Sequence, residues 1–256
     1  MKIIALSNQK GGCAKTTTAQ LLSAGLSRHG RKVVAIDTDP QGNFSFGYGL
    51  ADPEEGYSLY DVYRKRSDIS DCIVPIRIGL DAIQGGIMLA GADMEFNQTG
   101  REYMLKEAVE SLRARYDYCI IDTPPSLGVL TMNALTVADE VIVPISCDAY
   151  SMQGLGQLVS FIANIRKYYN RNLHIEGLLL TRYVASQLTS KAVRSSLQPV
   201  ATQLQTKIFR TMIRQSTAIG KSQLAQSVDL FESMPKEDVT NDYNDLIAEV
   251  IADMEG

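Results

Sequence analysis

The stretch Lys2–Thr18, KIIALSNQKGGCAKTTT, carries the most informative pattern in the sequence. A short apolar run ends at Ser7, a loop with two glycines follows, and Lys15 and Thr16 begin a segment with helical periodicity. In this arrangement, successive backbone N–H groups and the N-terminus of a helix can surround phosphate oxygens. The lysine then faces the β- and γ-phosphates of a nucleotide, and the hydroxyl beside it can coordinate Mg²⁺. The pattern therefore predicts a phosphate-binding loop.

This loop departs from the usual GxxxxGK[ST] pattern of phosphate-binding loops. Gln9 takes the place of the first glycine and Ala14 that of the second, where a Cβ atom narrows the accessible backbone conformations. The sequence matches KGGxxK[ST] instead, with Lys10 before the two glycines. The alternative is an ordinary strand-to-helix turn with lysines for solubility, which the strand before the loop and the helix after it disfavour. The predicted nucleotide-binding residues are Lys10, Gly11, Gly12, Cys13, Ala14, Lys15, Thr16 and Thr17.

Beyond the loop, short apolar runs recur, each followed by a segment with helical periodicity. Thr16–His29 is the first predicted helix, with Gly30 as its C-terminal stop, whereas Phe44–Asp71 indicates loops with one short helix. The alternation predicts an α/β fold with a mostly parallel, twisted sheet and helices on both faces. Taken with the predicted phosphate-binding loop, it indicates a single P-loop NTPase domain over residues 1–256. The predicted strands are Lys2–Ser7, Val33–Asp37, Leu80–Ile83, Tyr118–Asp122, Glu140–Ile145, His174–Leu180 and a weaker one at Lys207–Thr211.

Acidic residues stand at the ends of two predicted strands. They lie in VAIDTDPQGN, residues 34–43, and in CIIDTPP, residues 119–125. The carboxyl ends of neighbouring parallel strands meet at one crevice, so Asp37, Asp39 and Asp122 should lie near the phosphates. Carboxylates there can hold Mg²⁺, usually through water. The alternative is that these residues only cap helices or form turns.

Composition narrows the classes of protein that the chain could represent. It has 256 residues, 45% of them hydrophobic, which is enough for a sizeable core, and its net charge of -4 argues against an obligate nucleic-acid binder. The cysteines form no CxxC pair, which favours a reducing compartment over disulfides or a zinc site. Neither a signal peptide nor an apolar run of roughly 20 residues is present, so we expect a cytoplasmic protein. The cysteines are Cys13, Cys72, Cys119 and Cys147.

The loop and the carboxylate segments together resemble the ParA/MinD family of deviant Walker A ATPases, and most closely its Soj-type ParA partition proteins. The resemblance implies an ATPase whose ligands are ATP and Mg²⁺. Further matching segments are Pro124–Gly128, Thr131–Leu135, Ala138–Asp139, Pro144–Gly156 and Gly177–Arg182.

The resemblance also implies roles for individual residues. Lys10 would reach across a nucleotide-sandwich homodimer to the partner's phosphates, and Lys15 would act on the phosphates of its own loop. Asp122 would be the Walker B carboxylate and would hold Mg²⁺ with Thr16 and Asp39. Asp39 would orient the attacking water and Asp37 would support the magnesium shell and the loop after it, with the reverse assignment of the two left open.

Two further sets of residues follow from the family. Base contacts are expected from Thr181, Arg182, Ile213 and Arg214, although Arg214 stands where many chromosomal relatives carry proline. The second set lies in the basic run, residues 182–221, which contains no Asp or Glu. This run resembles a surface that binds DNA phosphates without sequence preference. A solvated helical surface is the alternative for this run. Its basic residues are Arg182, Lys191, Arg194, Lys207, Arg210, Arg214 and Lys221.

Other branches of the superfamily fit less well. The acidic end, residues 242–256, would be repelled by anionic lipid, so we expect no membrane binding. Cys119 and Cys147 lie in or beside predicted buried strands, so we expect no iron–sulfur cluster, and the Asp37–Asn43 segment argues against a small-molecule ligase. We therefore predict a partition ATPase that associates with the nucleoid when ATP-bound and is regulated by a ParB-like centromere-binding protein. The alternative is an ATP-switched regulator or positioning adaptor that acts on a protein complex without binding DNA.

Overall fold

The computed structural model describes residues 1–53, 57–148 and 154–255, which contain one eight-stranded sheet. The strands are β1 (Lys2–Leu6), β2 (Val33–Asp37), β3 (Ile73–Arg77), β4 (Leu80–Ile83), β5 (Tyr118–Asp122), β6 (Glu140–Ser146), β7 (His174–Thr181) and β8 (Lys207–Ile208). They lie in the order β3-β4-β2-β5-β1-β6-β7-β8, and all neighbours are parallel except β3 and β4. The first strand therefore lies inside the sheet, between β5 and β6.

Helices connect most of the parallel strands. No helix in the described ranges combines the length and the apolar content that crossing a bilayer requires. The helices are α1 (Lys15–Arg28), α2 (Asn43–Gly47), α3 (Leu59–Tyr63), α4 (Ala92–Glu95), α5 (Met104–Ala108), α6 (Val129–Val137), α7 (Leu155–Tyr168), α8 (Leu188–Gln203), α9 (Thr217–Leu224), α10 (Leu230–Ser233) and α11 (Asp238–Glu255). Short 3₁₀ turns occupy Ile69–Cys72, Ile87–Gly91, Arg101–Tyr103 and Val109–Leu112.

Apolar layers cover both faces of the sheet. Successive residues of β1 alternate between the layers, because side chains of a strand point to opposite faces. Ile3 lies in the layer to which α6, α7 and α8 contribute, and Ile4 lies in the layer to which α1 and α11 contribute. Every residue of β2, β5 and β6 is buried. Because both faces of these strands are covered, apolar residues follow one another instead of alternating with polar ones.

The structure confirms the predicted fold class and differs from the sequence prediction in three places. The additional strand, β3, is an antiparallel edge strand whose residues are half-buried or exposed and include Pro75, so it lacks a continuous apolar run. The weak strand predicted at Lys207–Thr211 ends already at Ile208. The prediction of one short helix within Phe44–Asp71 is wrong, because α2, α3 and a 3₁₀ turn lie there; residues 54–56 of that segment fall outside the described ranges.

Candidate active site

The predicted phosphate-binding loop joins β1 to α1 at the carboxyl edge of the sheet. Gly12 has φ = 72°, and Ala14 has φ = 67° immediately before the helix begins at Lys15. The left-handed region suits glycine, and an L-residue with a Cβ atom is disfavoured there by roughly 1–2 kcal/mol. Ala14, at the position of the usual glycine, therefore adopts a left-handed conformation that is locally strained.

Both lysines of the loop already hold oxygen partners. Lys15 is buried, and its Nζ donates to the backbone oxygen of Lys10 at 3.1 Å. The Lys10 ammonium forms an ion pair with Asp148 just beyond β6, and the other oxygen of Asp148 accepts from Ser146 Oγ at 2.6 Å. The two positive charges thus lie at the loop, one buried beneath it and one half-exposed beside it.

The remaining loop residues divide into exposed backbone and occupied side chains. Gly11 and Gly12 are exposed, so their N–H groups are accessible to a ligand. Thr17 is buried, and its hydroxyl accepts from Gln223 of α9 at 3.3 Å, whereas Thr16 is half-buried. Cys13 is buried, and burial raises the pKa of its thiol, which disfavours the reactive thiolate.

Asp122, the last residue of β5, is the most unusual group at this edge. It is fully buried, and among the described residues neither oxygen of its carboxylate has a hydrogen-bond partner of good geometry. The Thr16 hydroxyl lies close enough to influence its titration. Because a buried carboxylate without a partner is costly, this group requires either a proton or a cation. The Thr16 hydroxyl at the start of α1 and the Asp122 carboxylate at the end of β5 could serve as oxygen ligands. Such ligands suit hydrated Mg²⁺, because it is a hard cation.

The two carboxylates at the end of β2, those of Asp37 and Asp39, differ in how many hydrogen bonds they accept. Asp37 lies opposite Asp122 in the register of β2 and β5. Its carboxylate accepts from the backbone N–H of Asp39 at 3.1 Å, and from the N–H and hydroxyl of Ser45 at 3.3 and 3.2 Å. The Asp39 carboxylate accepts from the Gln41 N–H at 3.0 Å. Asp37 is therefore held on both oxygens, while Asp39 is less constrained.

Burial and mutual repulsion shift the titration of this carboxylate cluster. Burial is the main cause that raises the pKa of Asp37 to about 7, and the nearby charge of Asp39 adds to it. Burial, followed by the charge of Asp37, raises the pKa of Asp122 well above its usual value. In the absence of a cation, the cluster therefore retains protons at a pH where isolated carboxyl groups have lost them.

The predicted base-contact residues lie at the end of β7, beside the phosphate-binding loop. Thr181 donates its hydroxyl to the backbone oxygen of Cys13 at 3.0 Å, which links this strand to the loop directly. Arg182 is exposed and has φ = 52°. Ile213 is buried in the core, and Arg214 is exposed but bonded to Asp242 and Asp238 of α11. The four residues are thus in one region, although the Ile213 side chain faces the core.

Three residues that the structure brings to the site are absent from the sequence prediction. Asp148 follows a predicted strand, so the rule that applied to Asp122 could have found it. Ser45 and Gln223 reach the site from α2 and α9, and nothing in their local sequence marks them. The resembling segment Pro144–Gly156 can be followed only in part, because residues 149–153 lie outside the described ranges.

Comparisons of the sequence with known proteins identify related chains. A family model described as an AAA domain matches residues 1–175. The sporulation initiation inhibitor protein Soj of Bacillus subtilis is 38% identical over 254 residues, which cover 98% of each chain. The chromosome partitioning protein ParA of Caulobacter vibrioides is 41% identical over 202 residues, covering 77% of this chain and 76% of the relative.

Solved structures show the same fold. Cobyrinic acid a,c-diamide synthase from Mycobacterium smegmatis, crystallised with ADP and magnesium, is 31% identical with a TM-score of 0.85, covering 98% of this chain and 94% of that chain. Apo McdA from Cyanothece has a TM-score of 0.86 at 23% identity, covering 98% of this chain and 99% of its own. At that identity, the second likeness supports the fold alone.

Gly85, which follows β4, gives a test of the carboxylate segment. A Cβ atom there would lie 2.5 Å from the backbone oxygen of Asp37 and 3.2 Å from that of Asp39. Gly85→Ala should therefore displace these residues and lower the free energy of unfolding by about 1–3 kcal/mol, measured by urea denaturation. Gly91→Ala is the control, because a Cβ atom there meets no atom within 4 Å. Equal stability of the two variants would contradict the close contact.

The raised pKa of Asp37 predicts how stability depends on pH in protein kept free of metal with a chelator. The folded state retains a proton to about pH 7, whereas the unfolded chain releases it near 3.8. The stabilisation is complete below that lower value and is lost as the pH rises through 7. The free energy of unfolding should therefore fall by about 1.4 kcal/mol per pH unit from pH 5 toward pH 7 and level off by pH 8.

Asp37→Asn is the control for this pH dependence. It keeps the size of the side chain but removes its titration, so its urea denaturation midpoint should vary less between pH 5 and pH 8 than that of the parent protein. An identical variation in both proteins would show that other groups cause the dependence.

Proposed function

The chain belongs to the Soj/ParA family of P-loop ATPases, and on that premise we propose that MgATP closes a homodimer which holds DNA until a partner protein triggers hydrolysis. The fully buried Asp122 carboxylate, with no hydrogen-bond partner among the described residues, is the single observation that carries the ATPase part of this proposal. It lies beside the Thr16 hydroxyl, next to a buried Lys15, as a site for a magnesium-bound triphosphate requires. Residues 1–256 act as a single ATPase domain in this reading.

Each functional group at the proposed nucleotide site has a distinct role. The N–H groups of the loop, Gly11 to Thr17, and the Lys15 ammonium bind the phosphates, while Thr16 and Asp122 hold Mg²⁺ with Asp39 nearby. When bound, Mg²⁺ neutralises charge that develops on the transferred phosphoryl group. Asp39 orients the attacking water, because its carboxylate has fewer hydrogen bonds than that of Asp37. Asp37 supports the magnesium shell and, through Ser45, fixes the segment that follows.

Lys10 connects nucleotide binding to dimerisation. Its ammonium pairs with Asp148, and the two side chains are 24% and 41% exposed. An ion pair this exposed is worth only about 0–1 kcal/mol. Lys10 can therefore leave Asp148 for the phosphates of a second copy of the chain at little cost, which fits the proposed nucleotide-sandwich dimer.

The basic run provides the proposed DNA-binding surface, but not with all of its residues. Lys207 pairs with Glu176 and Asp253, and Arg214 pairs with Asp238 and Asp242. Arg210 lies 3.8 Å from Glu249, yet its side chain is 88% exposed. Acidic partners within the described ranges are absent for the other members of the run, which are Arg182, Lys191, Arg194 and Lys221. Exposed Lys191 and Arg194, one turn apart on α8, are the best placed to contact DNA phosphates.

The same ion pairs favour a second candidate function. With Lys207 and Arg214 neutralised, the run carries less available positive charge than its sequence suggests. An ATP-switched adaptor that positions a protein complex without binding DNA would need no more positive charge than the run has available. The partition reading remains the proposal, with a ParB-like centromere-binding protein as the partner, and it places the protein in the cytoplasm and on the nucleoid when ATP-bound.

Asp39→Ala and Lys15→Ala separate binding from hydrolysis. Asp39→Ala should bind ATP with an affinity close to that of the parent protein but hydrolyse it at least roughly 100-fold more slowly, because the water loses its orienting carboxylate. Lys15→Ala should lose ATP binding, since the phosphates lose a buried positive charge. Calorimetry with MgATP and a phosphate-release assay measure the two quantities. Unchanged ATP affinity in Lys15→Ala would refute the assignment of the loop.

Filter binding on arbitrary duplex DNA tests the DNA step. The ATP-bound protein should bind, and its affinity should fall steeply between two salt concentrations as counterions are released. Replacing both Lys191 and Arg194 by alanine should weaken binding and lower the slope of log affinity against log salt by about 2. The matched control removes two other exposed positive charges, those of Lys32 and Lys106. Absence of ATP-dependent binding by the parent protein would favour the adaptor.

A further inference from the structure

The segment from Phe209 to Gln215, here called the base loop, runs alongside the end of β7. Ile213 donates its N–H to Leu180 O at 2.9 Å, and Tyr183 donates its N–H back to Ile213 O at 2.9 Å. Gln215 in turn donates to Tyr183 O at 3.0 Å. Through Thr181, the same end of β7 is hydrogen-bonded to the phosphate-binding loop. The base loop is thus linked, through the end of β7, to the loop that would hold the phosphates of a nucleotide.

Two carboxylates of α11 hold the base loop from behind. Glu249 accepts from the N–H of Arg210 at 3.0 Å, from the N–H of Thr211 at 3.1 Å and from the Thr211 hydroxyl at 2.9 Å. Asp242 accepts three hydrogen bonds from Arg214, from the backbone N–H at 2.9 Å, from Nε at 2.8 Å and from Nη2 at 2.8 Å. The two acids are seven residues apart, so they lie about two turns apart on the same side of the helix. Together they fasten both ends of the segment 210–214.

These contacts contribute more to the geometry of the loop than to the docking of the helix. The helix α11 already packs on the core through buried Tyr243, Leu246 and Ile247. Asp242 and Glu249 are only 8% and 7% exposed, and taking a carboxylate out of water offsets much of what its hydrogen bonds contribute. Buried polar groups of this kind therefore add little net stability, but they specify one arrangement of their partners.

We propose that Asp242 and Glu249 are positioning residues for the base of the bound nucleotide, because they fix the base loop beside the end of β7. The inference deepens the proposed function and rests on it. The phosphate contacts belong to the loop between β1 and α1, which neither acid touches. Loss of either acid should therefore weaken recognition of the base while leaving recognition of the phosphates intact.

The test compares two ligands, MgATP and inorganic tripolyphosphate with Mg²⁺, on the full chain. Asp242→Asn and Glu249→Gln keep the size of each side chain but remove its charge. For both variants, ATP affinity should fall roughly tenfold while tripolyphosphate affinity stays within about twofold of the parent protein. The matched control is Asp253→Asn on the same helix, which loses its ion pair with Lys207 and should keep the parent ratio of the two affinities.

The outcomes separate this inference from the function on which it rests. If the variants melt at lower temperature but keep the parent ratio of ATP to tripolyphosphate affinity, the carboxylates serve stability alone and the inference is wrong. If the parent protein binds no ATP, the proposed function itself fails. Should Glu249→Gln not fold, Thr211→Val weakens the same contact from the loop side by removing only the hydroxyl bond, and an unchanged ratio there also overturns the inference.

Discussion

The burial of the Asp122 carboxylate without a hydrogen-bond partner among the described residues is the constraint on which the rest of the site depends. It arises from topology: β5 lies between β1 and β2, so its last residue faces the phosphate-binding loop on one side and Asp37 on the other. Without a ligand, protons must neutralise this group of acids. The proposed magnesium ion would replace them, so the same burial that destabilises the empty site favours the occupied one.

Apolar layers on both faces of the sheet offset this unfavourable edge. Strands β1, β2 and β5, which carry the phosphate-binding loop and the carboxylates, are buried along their whole length apart from the first residue of β1. Helix α1 begins in the loop and then packs against α11. Stability therefore comes from the body of the domain, whereas the site at its edge retains a strained Ala14 and buried acids that need protons or a cation. This separation lets the functional residues be individually unfavourable without unfolding the chain.

Sequence reasoning recovered the parts of the molecule that depend on local pattern. The buried parallel strands are continuous apolar runs, and the site residues at their ends occupy positions that topology brings together. It missed β3, whose edge position leaves no apolar signal, and it described the basic run without its partners. Lys207 is neutralised by Glu176 and Asp253, and Arg214 by Asp238 and Asp242, all of them distant in sequence, a pairing that only the fold reveals. Long-range ion pairs have no local signature, which is why the run looked more positive than it is.

The occupied lysines of the phosphate-binding loop have a consequence for which anions can enter. Lys15 donates a hydrogen bond to a backbone oxygen and Lys10 forms an ion pair with a carboxylate, so both ammonium groups already have an oxygen partner. An incoming anion must compete with these oxygens for the N–H donors, although only Lys10 is already paired with an opposite charge. A small, singly charged ion such as chloride gains little from that exchange, whereas a polyanion can displace both oxygens at once. We therefore expect this competition to favour polyanions over the simple salts of the cell.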